Sequence, residues 1–268
     1  MVDARGGAIG IFDSGVGGLT VVREIWAQLP NESTVYLGDT ARIPYGTRSP
    51  STVIRYASAC AKVLLDRSVK LMIVACNTAS ACALEPLREQ VDIPVLGVVE
   101  PGAREAAGQT RNGRVGVIGT VGTIRSGEYE RAILAADPSI EVFEKACPLF
   151  VPLAEEGWTR GAVPRAIADE YLSELRRSGI DTLVLGCTHY PLLRDAIAET
   201  IGGDITLVDS AAATARAVRE TLAALGEEVD GDQEASHTFL ASDSPRSFSE
   251  VGHAFLAQPV DNVEWVDF

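Results

Sequence analysis

Two similar α/β halves, each an open parallel sheet covered by helices, are the fold that this sequence predicts, and three observations predict it. Short runs of aliphatic and β-branched residues alternate with helix-length amphipathic stretches along almost the whole chain. Several runs are apolar at consecutive positions instead of alternating, the pattern of parallel strands covered on both faces. Two pairs of segments also repeat at nearly the same offset. Gly10-Ile11-Phe12-Asp13-Ser14 resembles Gly116-Val117-Ile118-Gly119-Thr120, and Val74-Ala75-Cys76-Asn77-Thr78 resembles Leu185-Gly186-Cys187-Thr188-His189.

Taken in order, the first strand is expected at residues 8–12, closed by the glycine-rich turn of residues 13–18. The second, residues 35–37, runs into Gly38 and Asp39, and the third, residues 71–75, is continuously apolar up to Cys76. Residues 95–99, 114–118, 141–145, 182–186 and 205–208 supply five more, each followed directly by turn residues. A helical run at 211–225 and a late strand at 237–240 follow, separated by residues 226–234, whose Gly, Asp and Glu content reads as a solvated loop. The repeat divides the chain into a first α/β domain, residues 1–98 with 209–268 returning to it, and a second, residues 99–208. Two such halves facing each other place the active site in the cleft between them. In open parallel sheets ligands bind beyond the carboxyl ends of the strands, so the strand-end turns are where chemistry is expected.

Composition narrows the function. A chain of 268 residues, 46% hydrophobic, can bury a substantial core. Its apolar runs fall far short of the roughly 20 residues of a membrane helix, so no membrane partner is expected. Residues 1–8 carry Asp3 and Arg5 and lack an apolar signal core, so a cytoplasmic location is expected. A net charge of −14 repels the phosphate backbone and argues against general nucleic-acid binding. It also obliges an anionic small-molecule substrate to be held by local donors, such as backbone amides at helix N-termini. Five cysteines, an odd number with no CxxC pair, predict free thiols.

Cys76 ends a buried run and stands at a helix start, where the helix N-terminus and the neighbouring Asn77 and Thr78 favour a thiolate. Taken alone, it also reads as a small core residue. Cys187 sits in the same kind of place, before Thr188 and His189, and two such coincidences are harder to dismiss. His189 can tune the Cys187 thiol or simply cap the next helix. In the first turn Gly15, Gly17 and Gly18 let backbone amides approach a ligand. The spacing is not GxGxxG and no P-loop lysine follows, so a nucleotide site is not indicated. Asp13 can hold a substrate ammonium group, orient a catalytic group or cap the helix. A second polar turn, residues 38–46, offers Arg42 and Tyr45 to a cleft, or is an ordinary connection. Two thiols suit the inversion of a stereocentre, which needs an acid on one face of a carbon and a base on the other. The unperturbed thiol pKa of about 8.5 keeps both protonation states accessible.

At these residues the chain resembles the bacterial glutamate racemases of the aspartate/glutamate racemase superfamily. The resemblance covers almost the whole length and is carried by residues 10–19, 38–46, 75–79 and 186–193. It implies a cofactor-independent two-base racemase with Cys76 and Cys187 as the acid/base pair, supplying D-glutamate for peptidoglycan. It further implies that Asp13 and His189 assist the thiols, that Glu155, rather than the adjacent Glu156, is a site carboxylate, and that Ser14, Tyr45, Gly46, Asn77, Thr78 and Thr188 bind substrate alongside Asp13 and His189. No cofactor and no metal are expected, and a homodimer is. Only a few residues precede the first strand, so activation through an N-terminal extension, as in some relatives, is not expected. Nothing in these residues speaks for or against the action on DNA gyrase reported for some relatives.

Rival readings rest on less. A pyridoxal phosphate enzyme needs a Schiff-base lysine, and the chain has only Lys62, Lys70 and Lys145, none after a phosphate-cradling loop. A metal site from Asp13, Cys76, Cys187 and His189 has only the Cys187-x-His189 pair as short-range support. A non-catalytic amino-acid sensor would not need two intact thiols. An aspartate racemase is the nearest enzymatic rival, since pocket depth is not written in residue spacing.

Overall fold

The computed structural model of the protein describes residues 7–229, 231 and 234–268. Its elements alternate as β1 (Ala8–Asp13), α1 (Leu19–Gln28), β2 (Thr34–Gly38), α2 (Pro50–Leu65), β3 (Val69–Val74), α3 (Asn77–Gln90) and β4 (Val95–Gly97). Two single 3-10 turns, Thr40–Arg42 and Tyr45–Thr47, lie between β2 and α2. There follow α4 (Val99–Gln109), β5 (Arg114–Gly119), α5 (Val121–Ser126), α6 (Glu128–Ala136), β6 (Glu141–Ala146), α7 (Phe150–Glu155), α8 (Ala162–Arg177), β7 (Thr182–Gly186), α9 (Arg194–Ile201) and β8 (Thr206–Asp209). The chain closes through α10 (Ser210–Leu225), β9 (His237–Ala241), α11 (Pro245–Leu256) and β10 (Glu264–Trp265).

Every strand pairing is parallel, in a six-stranded sheet ordered β10-β9-β2-β1-β3-β4 and a four-stranded sheet ordered β6-β5-β7-β8. The α/β class with parallel sheets is thus the observed one. The chain divides into two compact units, residues 1–98 with 211–268 and residues 99–210. In the first, β2 and β3 are buried at every position, which is why their runs do not alternate. In the second, β7 is likewise wholly buried between helices.

Helix ends follow from the local sequence. The Ser49 side chain caps α2 by accepting from the Thr52 N–H, with Pro50 at the first turn where its missing donor costs nothing. Thr120 caps α5 in the same way, and Gly127, at φ 67°, supplies the left-handed residue that separates α5 from α6.

Three elements depart from the sequence reading. The strand expected at 95–99 stops at Gly97, and Val99 opens α4. Val98 and Val99 are buried in either conformation, so apolarity alone did not separate strand from helix. Neither α11 nor the two-residue β10 was anticipated. The solvated loop expected at 226–234 includes residues 230, 232 and 233, which lie outside the described residues, but its beginning is anchored and only partly exposed. The buried Lys70 ammonium donates to the Glu227 carbonyl at 2.6 Å and pairs with buried Glu32 at 2.8 Å, and Glu32 also accepts from the Val229 N–H at 2.9 Å. A buried ion pair needs further hydrogen bonds to be tolerated, and this segment provides them. Among the described residues no helix is long and apolar enough to cross a membrane.

Candidate functional site

In the first unit the site residues collect at the carboxyl ends of β1 and β3. Asp13, the last residue of β1, is fully buried, and its Oδ2 accepts the Gly15 N–H at 3.0 Å, closing the glycine turn over its own carboxylate. Cys76 leaves β3 and occupies the N-cap position of α3, so the unsatisfied amides and positive end of a 14-residue helix lie beside its sulfur. Its thiol donates to the Ser14 hydroxyl at 3.6 Å. Asn77 and Thr78, in the first turn of α3, are both buried. Beneath the turn the Tyr36 hydroxyl donates to the Gly15 carbonyl at 2.9 Å. Burial, and then the negative charge of Asp13 and Cys76, pushes the Tyr36 phenol well up, so it stays a neutral donor there.

The second polar turn is tied by Asp39 rather than open. This carboxylate is fully buried and accepts from the Tyr45 hydroxyl at 2.5 Å, the Ser242 hydroxyl at 2.8 Å and the Arg42 guanidinium at 3.3 Å. Burial, with Cys60 and Asp39 nearby, pushes the Tyr45 phenol far above its ordinary value. Since the Tyr45 hydroxyl is committed to Asp39 and the ring is 1% exposed, what residues 45 and 46 can offer a ligand is backbone. Arg42, offered by the sequence as a cleft-lining cation, is occupied by the same carboxylate.

In the second unit Cys187 follows β7 directly, with Thr188 and His189 next, all three buried. The His189 Nε2 stands 2.9 Å from Glu155 Oε1, and its Nδ1 lies 3.9 Å from the Cys187 sulfur and 3.5 Å from the Thr188 hydroxyl. Burial alone would lower the imidazole pKa, but hydrogen bonding to Cys187 and Glu155 and their negative charge outweigh it and raise it to about 10. The protonated imidazole is therefore favoured while it bridges the Glu155 carboxylate and an ionised Cys187 sulfur. The capping alternative does not describe it: His189 precedes the 3-10 turn Tyr190–Leu193, and its side chain makes no cap hydrogen bond there. Glu155 ends α7 with its carboxylate on His189, whereas Glu156 is exposed.

The structure thus brings Asp13, Ser14, Cys76, Asn77 and Thr78 together at one strand end, with residues 45 and 46 on the turn after β2. It brings Glu155, Cys187, Thr188 and His189 together at another. Sequence reasoning missed Tyr36, Asp39 and Ser242, which organise the first group from below. Ser242 and Asp39 are brought together only by the pairing of β9 with β2, and no local pattern marks them. All five cysteines are free thiols. Among the described residues no three His, Cys, Asp or Glu side chains converge as a metal site would require.

Parallel α/β units carrying thiols at their strand ends match a known class, and the chain belongs to the Asp/Glu/Hydantoin racemase family, whose profile matches residues 9–218. Within that class it is similar to glutamate racemases. That of Geobacter metallireducens is 58% identical over 257 residues, 96% of this chain and 95% of the relative. Among solved structures, a glutamate racemase isoform from Bacillus anthracis matches with a TM-score of 0.95 at 40% identity, covering 98% of both chains. The glutamate racemase of Francisella tularensis, solved in complex with D-glutamate, matches with a TM-score of 0.92 at 38% identity, again over 98% of both chains.

Proposed function

We propose that this chain interconverts L- and D-glutamate without a cofactor, with Cys76 and Cys187 as the two proton-transfer groups. The observation that carries the reading is that each unit ends a buried strand in a thiol supplied with its own partners. Inversion at Cα needs one group to take a proton from one face and another to deliver a proton to the opposite face. A thiolate and a thiol do this in either direction, exchanging roles at each turnover. The helix N-terminus, Ser14 and the Asp13 turn serve Cys76, and the imidazolium of His189, oriented by Glu155, serves Cys187. Each thiol therefore has a local group that favours its anion when it acts as base.

The carbanionic intermediate is the costly species, and here it is met by donors fixed before substrate arrives: amides of the 13–18 turn, the first turn of α3, and hydroxyls of Ser14, Thr78 and Thr188. Burial of Thr78 and Thr188, and half-burial of Ser14, limit the water that can compete for them. Asn77, Thr188 and the backbone of Tyr45 and Gly46 complete the substrate contacts, and Asp13 receives the ammonium group. In this reading residues 1–98 with 209–268 form the domain bearing Cys76, residues 99–208 the domain bearing Cys187, and the product serves peptidoglycan synthesis. The enzyme acts as a homodimer in the cytoplasm.

The test is incubation of the purified protein, freed of metal and pyridoxal phosphate, with L-glutamate and separately L-aspartate in deuterated water. Loss of optical rotation with deuterium entering Cα of glutamate is expected. Exchange with aspartate alone would move the substrate assignment, and exchange with neither would sink the proposal.

A further inference from the structure

The segment closing the first unit, residues 264–268, reaches back to the turn after β2, and Arg42 is where the two meet. One guanidinium nitrogen of Arg42 donates to Asp39 at 3.3 Å, and another donates to the Phe268 carbonyl. The same guanidinium lies over the Phe268 ring, 4.5 Å from its centroid, and 5.3 Å from that of Tyr56. Phe268 is partly buried against the core cluster that includes both Tyr45 and Cys76. The segment itself is held in two ways. Arg67 grips Glu264 through both guanidinium nitrogens, at 2.6 and 3.0 Å, and the Val266 N–H donates to Ala241 at 3.0 Å.

What this fixes is the stretch that borders the first group of site residues. The 45–47 turn packs on α3, whose N-cap is Cys76. Ile43, 41% exposed, sends a methyl to within 3.5 Å of where a Cβ on Gly15 would stand, directly beside Ser14. The backbone of residues 39–41 is tied to Asp13 and Ser242, by the Asp39 N–H to the Asp13 carbonyl at 3.0 Å and the Ala41 N–H to the Ser242 hydroxyl at 2.9 Å, so the place of residues 42–46 beyond it depends on side chains that grip them from outside.

We infer that Phe268, acting through Arg42, is a positioning residue for substrate: it latches residues 42–46 so that their backbone stands ready at the Ser14 and Cys76 side of the site. This rests on the function proposed above. An arginine that bridges two partners and stacks on a ring is preorganised, so releasing it costs the loop its order before it costs the fold its core.

Phe268→Ala, Phe268→Trp and Arg42→Lys decide the matter, read by racemisation kinetics on L- and D-glutamate, thermal melts and amide hydrogen exchange of residues 43–48. Phe268→Ala should raise KM roughly fivefold in both directions with kcat nearly unchanged, the mark of lost uniform binding. Exchange at residues 43–48 should quicken, Tm should hold, and Phe268→Trp, which keeps a ring under the guanidinium, should restore KM. Arg42→Lys keeps the charge but loses fork and stack, and should behave like Phe268→Ala. An unchanged KM and exchange rate in Phe268→Ala would overturn the latch. So would a fall of both kcat and Tm alongside the rise in KM, which is what mere destabilisation gives. If the wild type fails to racemise glutamate, the proposed function falls by itself, and quickened exchange at 43–48 in Phe268→Ala still decides for or against the latch.

Discussion

Cys60 and Cys147 are fully buried, and burial pushes both thiols far up, so neither ionises at neutral pH. Cys76 and Cys187 are also small and nearly buried, yet the Cys76 thiol meets the Ser14 hydroxyl at the start of α3 and the Cys187 sulfur faces His189, whereas Cys147, just beyond β6, meets a backbone carbonyl, that of Lys145. The difference between an inert and a usable thiol here is therefore placement, not exposure. Cys76→Ala and Cys187→Ala should each lower kcat for glutamate by about a thousandfold, because each removes one of two obligatory proton carriers. Melting curves should remain within about 2 °C of wild type, since a Cys→Ala change at a strand end removes a single atom. Steady-state polarimetry and circular dichroism on both variants check this, and substantial residual activity in either would contradict a two-thiol scheme. That these cysteines could be singled out at all reflects their sequence setting, a buried run that stops at a polar turn. Asp39 carried no such mark, because its partner Ser242 is distant in sequence and adjacent only in the sheet.

Among the elements, the partly buried β6 and β8 were anticipated, and so were the strands buried on both faces, such as β1, β3 and β7, which were legible from continuous apolar runs. Their apolar runs have nowhere else to go in an α/β chain. β6 is different, with only partial burial and Glu144 near its end. Burial, and then Glu130 on α6, raises the Glu144 carboxyl pKa to about 7, and its buried Oε1 has no hydrogen-bond partner among the described residues. A carboxyl whose folded pKa lies above its unfolded value of 4.5 binds more protons when folded. Stability is then lost as pH rises from about 4.5 through about 7. Glu144→Gln keeps the shape and removes the charge. It should leave Tm unchanged near pH 4.5 and raise it by about 2 °C at pH 8, a modest gain because the group is partly solvated and its repulsion screened. Paired thermal melts across that range measure it, and an equal effect at both pH values would show that ionisation is not the cause. At the end of β2, Gly38 has a different constraint: a Cβ there would lie 2.5 Å from the Gly15 carbonyl and 2.6 Å from Phe248. Gly38→Ala should cost about 2 kcal/mol in urea unfolding, because the backbone of the Gly15 turn cannot swing aside as a side-chain tip can.

At the scale of the whole chain, the two units are built from sequence in unlike ways, and this has a consequence for fragments. Residues 99–210 form one continuous stretch that contains every strand of its sheet, β6-β5-β7-β8. Residues 1–98 contain only four of the six strands of theirs. β9 pairs with the full length of β2, from Thr34 opposite His237 to Gly38 opposite Ala241, and α11 packs on α1 with Phe248 and Phe255 almost wholly buried. Without residues 211–268, β2 becomes a bare edge of buried apolar residues, a template for aggregation. Losing two buried phenylalanines at about 3 kcal/mol each already approaches the 5–15 kcal/mol that holds a whole domain. The repeat made the two halves look equivalent, because it was read from strand ends and did not include the long-range return that completes only one of them. A fragment of residues 99–210 should therefore melt cooperatively on its own. A fragment of residues 1–98 should not, and should do so only when joined by a flexible linker to residues 211–268. Circular dichroism melts and size-exclusion profiles of the three fragments provide the comparison. A cooperative melt from residues 1–98 alone would mean that β9 and α11 decorate that sheet and do not complete it.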